Sequence, residues 1–270
     1  MTGSDNDVVR QAVDGPSCLK DAGMFIADYA ARLWGCGATC IRIEKNVRRI
    51  AGSFGLPVEF VITPSHINLT IWSNDRSEAF SIIRKHYKSP ISFNINTRLS
   101  KLSWDIAEGR RGFEDARNEF WKICKTKAEN PYKVLLLVSL ANASFCRLFG
   151  GDAVSMLIVF LSTLGGYRIK QIMLEDKIDV RLVFLVASFF SAVASASGHL
   201  FGLGSTPETA LASSVLYLIP GIPYINSVSD MLDGHYVCAF SRFMDGLMLT
   251  ACIALGFCGG LFMMSLDFIQ

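Results

Sequence analysis

Two long stretches near the carboxyl end of the chain contain no charged residue. Residues 182–207 and 246–266 have no Asp, Glu, Lys or Arg. A helix needs about 20 mostly apolar residues to cross a bilayer core about 30 Å thick, whereas a long helix on a soluble protein needs a polar face. Because these stretches lack such a face, the sequence predicts helices that span a membrane.

The second half of the chain supplies five apolar segments of this kind. Of the 270 residues, 51% are hydrophobic and 19% are charged. Residues 1–130 hold 19 of the 26 Lys and Arg and 15 of the 24 Asp and Glu. The remainder has too little polar sequence to cover five buried helices in a soluble fold. The predicted spans are residues 133–149, 153–172, 181–203, 207–226 and 242–266.

The loops between these spans indicate an orientation. Cytoplasmic loops of membrane proteins carry an excess of Lys and Arg. The loop between the second and third spans carries Arg168, Lys170 and Lys177, whereas residues 198–206 have neither Lys nor Arg. We therefore expect a multi-pass protein whose amino-terminal domain is cytoplasmic and whose carboxyl terminus, Gln270, lies outside.

The polar first half predicts a soluble α+β cytoplasmic domain. Apolar residues recur there at helical spacing, and β-branched and aromatic runs separate the helices. The predicted helices cover residues 17–34, 38–52, 94–108 and 113–127, and the predicted strands cover 58–62, 67–72 and 80–87. The expected organisation is a disordered tail (1–15), the α+β domain (16–130) and a domain of five transmembrane helices (131–270).

Several functional classes lack their sequence signals. The net charge of +2 lacks the basic excess of a nucleic-acid-binding protein. The eight cysteines contain no Cys-x-x-Cys pair, which is the usual spacing of metal-binding thiols. The hydrolase, metalloprotease and phosphate-loop patterns are also absent from the sequence. We therefore expect no enzyme activity, no cofactor, no metal, no nucleic-acid partner and no ATP-driven transport.

Two prolines interrupt the fourth predicted span. Pro220 and Pro223 lack the N–H that a helix interior requires, so the helix must break or end there. If a helix resumes afterwards, Asn226, Asp230 and Asp233 fall at i, i+4 and i+7 on one face. Interrupted helices carry substrate and ion sites in secondary transporters. Alternatively, the prolines end the span at the membrane surface and both aspartates are solvated loop residues.

Two local strings carry a resemblance to a known family. They are residues 37–44, GATCIRIE, and residues 218–231, LIPGIPYINSVSDM. With the order of elements, they resemble the threonine/serine exporter (ThrE-like) family of bacterial inner-membrane transporters over about residues 17–266. The first string departs from the family's Gly-Ala-Glu-Thr, because Thr39 and Cys40 stand where Glu and Thr are expected.

The resemblance implies a particular kind of transporter subunit. It is closest to the amino-terminal, five-span component of a split form, which works with a separate smaller membrane subunit. One such pair is assigned to dicarboxylate (succinate) export. The implied function is secondary export of a small polar metabolite, either a threonine/serine-like amino acid or a C4-dicarboxylate, across the bacterial inner membrane. The expected partners are this second subunit, the lipid bilayer and the small-molecule substrate, and a homo-oligomer stays open.

A different class of function fits part of the same sequence. A membrane-anchored scaffold or sensor with a cytoplasmic binding domain would have no transport activity. Such an anchor would need neither five spans nor a double-proline break with polar residues beyond it.

The candidate residues of the substrate and ion pathway surround the break. Asp230 is the favoured proton acceptor or gate. Asp245 follows Arg242 by three residues on the last span, so the two either pair as helix neighbours or act in the pathway. Asn142 in the first span either binds a ligand or joins helices. The full predicted set is Pro220, Gly221, Pro223, Asn226, Asp230, Asp233, Asn142, Arg242 and Asp245.

Small residues recur at four-residue spacing in two of the spans. They are Ala187, Ser191 and Ser195, with Ser188, Ala192 and Ala196 beside them, in the third span and Gly256 and Gly260 in the fifth. Such faces let membrane helices approach closely. We expect them to form contacts within the chain or with a partner.

Overall fold

The computed structural model describes residues 16–86, 91–126 and 129–264, which form two compact units. Unit 1 consists of Met1–Lys127 with Ile222–Phe243, and unit 2 consists of Ala128–Gly221 with Met244–Gln270. The predicted tail (1–15) and the predicted position of Gln270 lie outside the described residues. The domain boundary at residue 130 stays a prediction.

The described residues are mostly helical, at 71%, and they contain one small sheet. In chain order, the elements are α1 (Pro16–Gly35), α2 (Cys40–Ser53), β1 (Val58–Ile62), β2 (His66–Trp72), β3 (Ala79–Lys85), α3 (Phe93–Ala107), α4 (Phe113–Cys124), α5 (Pro131–Leu148), α6 (Ala153–Glu175), α7 (Val180–Leu200), α8 (Pro207–Ser213), a short 3-10 helix (Leu216–Leu218), α9 (Gly221–Leu232) and α10 (Tyr236–Met263). The predicted order of two helices, three strands and two helices is found before α5, although β3 ends at Lys85 and not at residue 87.

Unit 1 is built on an antiparallel sheet in the order β1-β2-β3. Ile67, Leu69 and Ile71 alternate along the central strand β2 and are buried, because side chains of a strand point to its two faces in turn. Helix α1 packs on β2 and β3. Tyr29 and Phe120 are the largest fully buried side chains of the resulting core.

Unit 2 buries many small residues and exposes many large ones. Helix α7 buries Ala187, Ser191 and Ser195, whereas Leu137 and Phe145 on α5 are 55% and 51% exposed. Membrane helices pack through small residues and turn large apolar side chains to lipid. The distribution in unit 2 is therefore that of a membrane domain.

The two small-residue faces meet each other inside unit 2. A Cβ atom on Gly256 of α10 would collide with the Leu185 carbonyl and the Ser188 side chain of α7. A Cβ on Gly260 would lie 2.8 Å from Cβ of Ala192. Of the two predicted uses of these faces, the structure shows a contact within the chain.

Among the described helices, α6, α7 and α10 are long and apolar enough to cross a membrane, and a fourth span results if α8 to α9 count as one broken helix. Helix α5 occupies the first predicted span but is not among them. The fourth predicted span (207–226) is not one continuous helix, since Ile219 and Pro220 lie outside helical structure. The last span starts at Tyr236 and not at residue 242, directly after a turn at Gly234, which has a φ of +83°.

Candidate functional site

The double-proline segment folds as the end of one helix and the start of another. The 3-10 helix ends at Leu218, and α9 begins at Gly221. Pro220 lies between them, where its missing N–H interrupts no hydrogen bond. Pro223 lies in the first turn of α9, whose N–H groups have no intrahelical acceptor in any case. The second proline therefore fits α9 without a kink.

Asp230 of α9 has no exposed surface. Its Oδ1 accepts a hydrogen bond of 2.7 Å from the backbone N–H of Cys40. Its Oδ2 lies 3.2 Å from Nε of Arg242 in an ion pair, although no hydrogen bond is well directed at this oxygen. Asp230 is thus a buried, charge-paired carboxylate and not a solvated loop residue.

The Asp230 carboxylate caps the amino terminus of α2. The first N–H groups of a helix lack intrahelical partners and favour a negative charge. Thr39 at the N-cap makes no side-chain cap bond, and the first turn of α2 has no acidic residue. Asp230 supplies the missing acceptor from 190 residues further along the chain.

Arg242 of α10 contacts the turn between α1 and α2. Its Nη2 donates to the carbonyl oxygen of Ala38 at 2.7 Å. Its guanidinium carbon lies 4.1 Å from the centroid of the Trp34 ring, and this ring also stacks on His86 at 4.5 Å. The side chain of Arg242 is 11% exposed, so both members of the pair with Asp230 are largely removed from water.

Asn226 holds the same turn from α9. Its Nδ2 donates to the carbonyl oxygen of Gly37 at 2.8 Å. Gly37 has a φ of +84°, a conformation that favours glycine. A Cβ there would also lie 3.0 Å from the side chain of Ile91. This turn therefore requires glycine for its backbone shape as well as for space.

The other predicted acidic residues lie outside this cluster. Asp233 follows the end of α9 and is exposed, so it does not share the buried face of Asn226 and Asp230. Asp245 is exposed on α10. Arg242 forms its ion pair with Asp230 and not with Asp245. An ion pair with an exposed carboxylate such as that of Asp245 would contribute little, because water screens it.

Two thiols lie beside the buried carboxylate. Cys40 and Cys238 are free cysteines, and Cys238 donates to the carbonyl oxygen of Ile62 at 3.4 Å. The hydrogen bond with Cys238, burial and the charge of Asp230 raise the pKa of the Cys40 thiol. Within the described ranges, no group of three or more His, Cys, Asp and Glu side chains could hold a metal ion.

Asn142 belongs to unit 2 and joins three of its helices. Its buried Nδ2 donates to Oγ1 of Thr163 at 2.7 Å and to the carbonyl oxygen of Ser213 at 3.2 Å. Both donors of the amide are therefore used between α5, α6 and α8. This arrangement favours the helix-joining interpretation of Asn142.

The early and late sequence strings meet in unit 1. Residues of the turn between α1 and α2 contact Asn226, Asp230 and Arg242. Trp34, which also belongs to this cluster, has no signal in the sequence that marks it, whereas Ala38 lies within the early string. The one local hint is that α2 begins without an acidic residue or a side-chain cap of its own.

Residues 24–264 match the family model ThrE, described as "Putative threonine/serine exporter". The chain belongs to this threonine/serine exporter family. The resemblance seen in the sequence is thereby confirmed, and the ThrE chain is a membrane transport protein.

Three relatives of this ThrE chain carry functional names. It is 26% identical over 222 residues to the "Probable succinate transporter subunit YjjP" of Klebsiella aerogenes, covering 82% of this chain and 85% of the relative. It is 26% identical over 243 residues to the protein of the same name in Escherichia coli, covering 88% and 90%. The "Threonine/serine exporter" of Corynebacterium glutamicum is 22% identical over 222 residues, covering 79% of this chain but 45% of the relative. No solved structure matches the chain.

Proposed function

We propose that this ThrE-family chain is one subunit of a secondary exporter. The complex would move a threonine/serine-like amino acid or a C4-dicarboxylate such as succinate out across the bacterial inner membrane. One observation carries the proposal: the chain covers 85% and 90% of two relatives named as subunits but 45% of a relative named as an exporter. A second, smaller membrane subunit would supply the remaining half.

The proposed topology has five crossings and a cytoplasmic α+β domain. Helices α6, α7 and α10 and the broken pair of α8 and α9 have the required length and composition. Helix α5 would be the first crossing, since its 18 residues are near the lower limit of about 17 for a span. The cations at the carboxyl end of α6 and just after it, Arg168, Lys170 and Lys177, favour the cytoplasmic side for that end of the helix, and five crossings would then leave the carboxyl terminus outside.

We assign the gating role to the buried pair of Asp230 and Arg242. Protonation of Asp230 would remove the negative charge that caps α2 and the ion pair with Arg242 in one step. The cap joins α9 to the amino terminus of α2, and the ion pair joins α9 to α10, so a proton would loosen both attachments of α9. Asn226 would help to hold the closed form. Pro220, with the start of α9 at Gly221 and Pro223, would form the helix break that such pathways use.

The decisive experiment is an efflux measurement with separated subunits. Cells loaded with radiolabelled succinate or threonine would express this chain alone, the short companion membrane protein alone, or both. We expect efflux of one of these substrates only when both are present. Efflux with this chain alone would overturn the split-subunit proposal, and no efflux of either substrate with both subunits would favour the scaffold or sensor.

A further inference from the structure

A cleft of about 330 Å³ lies on the surface of unit 1, along α2 where it faces α3. This volume is within the range of about 300–1,000 Å³ that is usual for small-molecule sites. The polar residues that line it are Thr39, Arg42, Lys45, Asn46, Arg49 and Ser100. The cleft therefore combines three cations with three neutral hydrogen-bonding side chains.

The positive charge of the cleft has no compensating carboxylate in its lining. Within the described part of the chain, none of the ion pairs involves Arg42, Lys45 or Arg49. The acidic residue of α2, Glu44, instead pairs with Arg48 at 2.9 Å. An anion that entered the cleft would thus meet three uncompensated cations.

Arg49 is held in place before any ligand binds. Its Nη1 donates to Oδ1 of Asn46 at 2.8 Å and to Oγ of Ser103 at 2.6 Å. Its guanidinium carbon lies 3.7 Å from the centroid of the Trp104 ring. Asn46 is 4% exposed, and its Nδ2 donates to Oγ of Ser100 at 3.2 Å. A guanidinium has five N–H donors, so this one keeps donors for a ligand.

The spacing of the cations favours a ligand with two separated anionic groups. Arg42, Lys45 and Arg49 stand at i, i+3 and i+7, which spreads them over about 10 Å of helix at about 1.5 Å per residue. A compact anion would reach one of them well, whereas a short chain with a carboxylate at each end would reach two or three.

We propose that the α2–α3 cleft is a binding site for a small organic dianion of the dicarboxylate class. This inference rests on the proposed export function, because it assigns one of the two substrate classes named there to a site in unit 1. Carboxylate and phosphate groups share the chemistry that Arg and Lys recognise. The test therefore separates a dicarboxylate from inorganic phosphate and from phospholipid headgroups.

The test is equilibrium binding of radiolabelled succinate to the full chain in nanodiscs of zwitterionic lipid. We expect saturable binding that unlabelled succinate displaces better than threonine or inorganic phosphate does, and that a share of anionic lipid leaves unchanged. Lys45→Gln and Arg42→Gln should each weaken succinate binding about tenfold, since each removes a charge-assisted contact. Arg48→Gln on the same helix is the matched control and should leave binding unchanged.

Three results would overturn the proposal. They are no saturable succinate binding by the wild-type chain, equal affinity in Lys45→Gln and Arg48→Gln, and stronger displacement by phosphate or anionic lipid than by succinate. Arg42 and Lys45 are exposed, so their replacement by glutamine should leave the core intact. Thermal melting of each nanodisc sample checks that the fold persists. Failure of the proposed export function would give a different pattern. Succinate binding would still be weaker in Lys45→Gln than in the wild type, but the wild-type pair of subunits would show no efflux. Efflux of succinate with unchanged binding in Lys45→Gln would overturn the cleft alone.

Discussion

The two units of this chain bury opposite kinds of side chain. Most of the large fully buried residues, such as Tyr29, Leu99 and Phe120, belong to unit 1. In unit 2, Ala and Ser are frequent at the buried positions beside a small apolar cluster around Phe184 and Leu218, whereas Leu137 and Phe145 are exposed. One polypeptide therefore contains a core of large apolar side chains and a core with many small side chains.

We attribute this difference to the surroundings proposed for each unit, which are water for unit 1 and lipid for unit 2. Burying a large apolar side chain from water stabilises a fold by about 1.5–3 kcal/mol. Lipid tails are as apolar as leucine, so helices in a bilayer associate through close packing and hydrogen bonds instead. The stability of unit 1 should therefore depend on the volume of its core side chains. The stability of unit 2 should depend on small residues at its helix contacts.

The largest effect should come from emptying the core of unit 1. Phe120 packs edge-on against Phe25 at a ring distance of 5.7 Å, and Phe120→Ala should lower the free energy of unfolding by about 3–5 kcal/mol. Phe145→Ala on the exposed face of unit 2 should change it by less than about 0.5 kcal/mol. Denaturant unfolding of the chain in detergent measures both. Equal losses would contradict the comparison of the two units.

A smaller loss of stability should follow from adding one methyl group at a helix contact of unit 2, where the change overfills the contact and does not empty it. Gly256→Ala places Cβ against the Leu185 backbone of α7, and overpacking of this type costs about 1–3 kcal/mol.

Gly259→Ala is the matched control, because its Cβ would meet the Phe189 ring at an ordinary 3.6 Å. That variant should be neutral or more stable by up to about 1 kcal/mol, since alanine favours helix more than glycine does. Melting temperatures in one detergent compare them, and the reverse order would show that α7 and α10 do not pack through this face.

The smallest effect should be a pH dependence of unit 1 that originates at His86. The His86 ring is buried and its Nε2 lies 2.7 Å from the carbonyl oxygen of Thr63. Burial lowers the pKa of His86 from its ordinary 6.5, and the nearby charges of His66 and Arg242 also lower it, whereas the hydrogen bond with Thr63 opposes part of this shift. Below about pH 6.5 the unfolded chain therefore binds more protons at His86 than the folded chain does. The contribution of His86 to the free energy of unfolding is fully present above about pH 6.5 and decreases as the pH falls below it.

His86→Phe keeps a ring against Trp34 and removes the titrating group. We expect a flatter dependence of the melting temperature on pH between about 6.5 and 5 in this variant. The wild-type chain measured in parallel is the reference. Parallel curves for the two proteins would mean that His86 contributes nothing to the acid sensitivity.

Local patterns in the sequence predict much of this fold. Alternation marks β2, and the missing N–H of Pro220 marks the break before α9. The contact between Asp230 and Cys40 could not be predicted, because it joins residues 190 positions apart and no local rule pairs a carboxylate with a distant helix terminus. The ion-pair partner of Arg242 could not be predicted for the same reason, since sequence spacing points only to its helix neighbour Asp245.

The central claim is that the buried Asp230, and not the exposed Asp233, controls export. The direct measurement is substrate efflux from vesicles that contain both subunits, at matched amounts of protein and over a range of imposed pH gradients. Asp230→Asn should insert and yet lose most of its export and the dependence on the pH gradient, because the amide cannot carry the charge that pairs with Arg242. Asp233→Asn should behave as the wild type does. An Asp230→Asn exporter with unchanged rates and unchanged pH dependence would contradict the account.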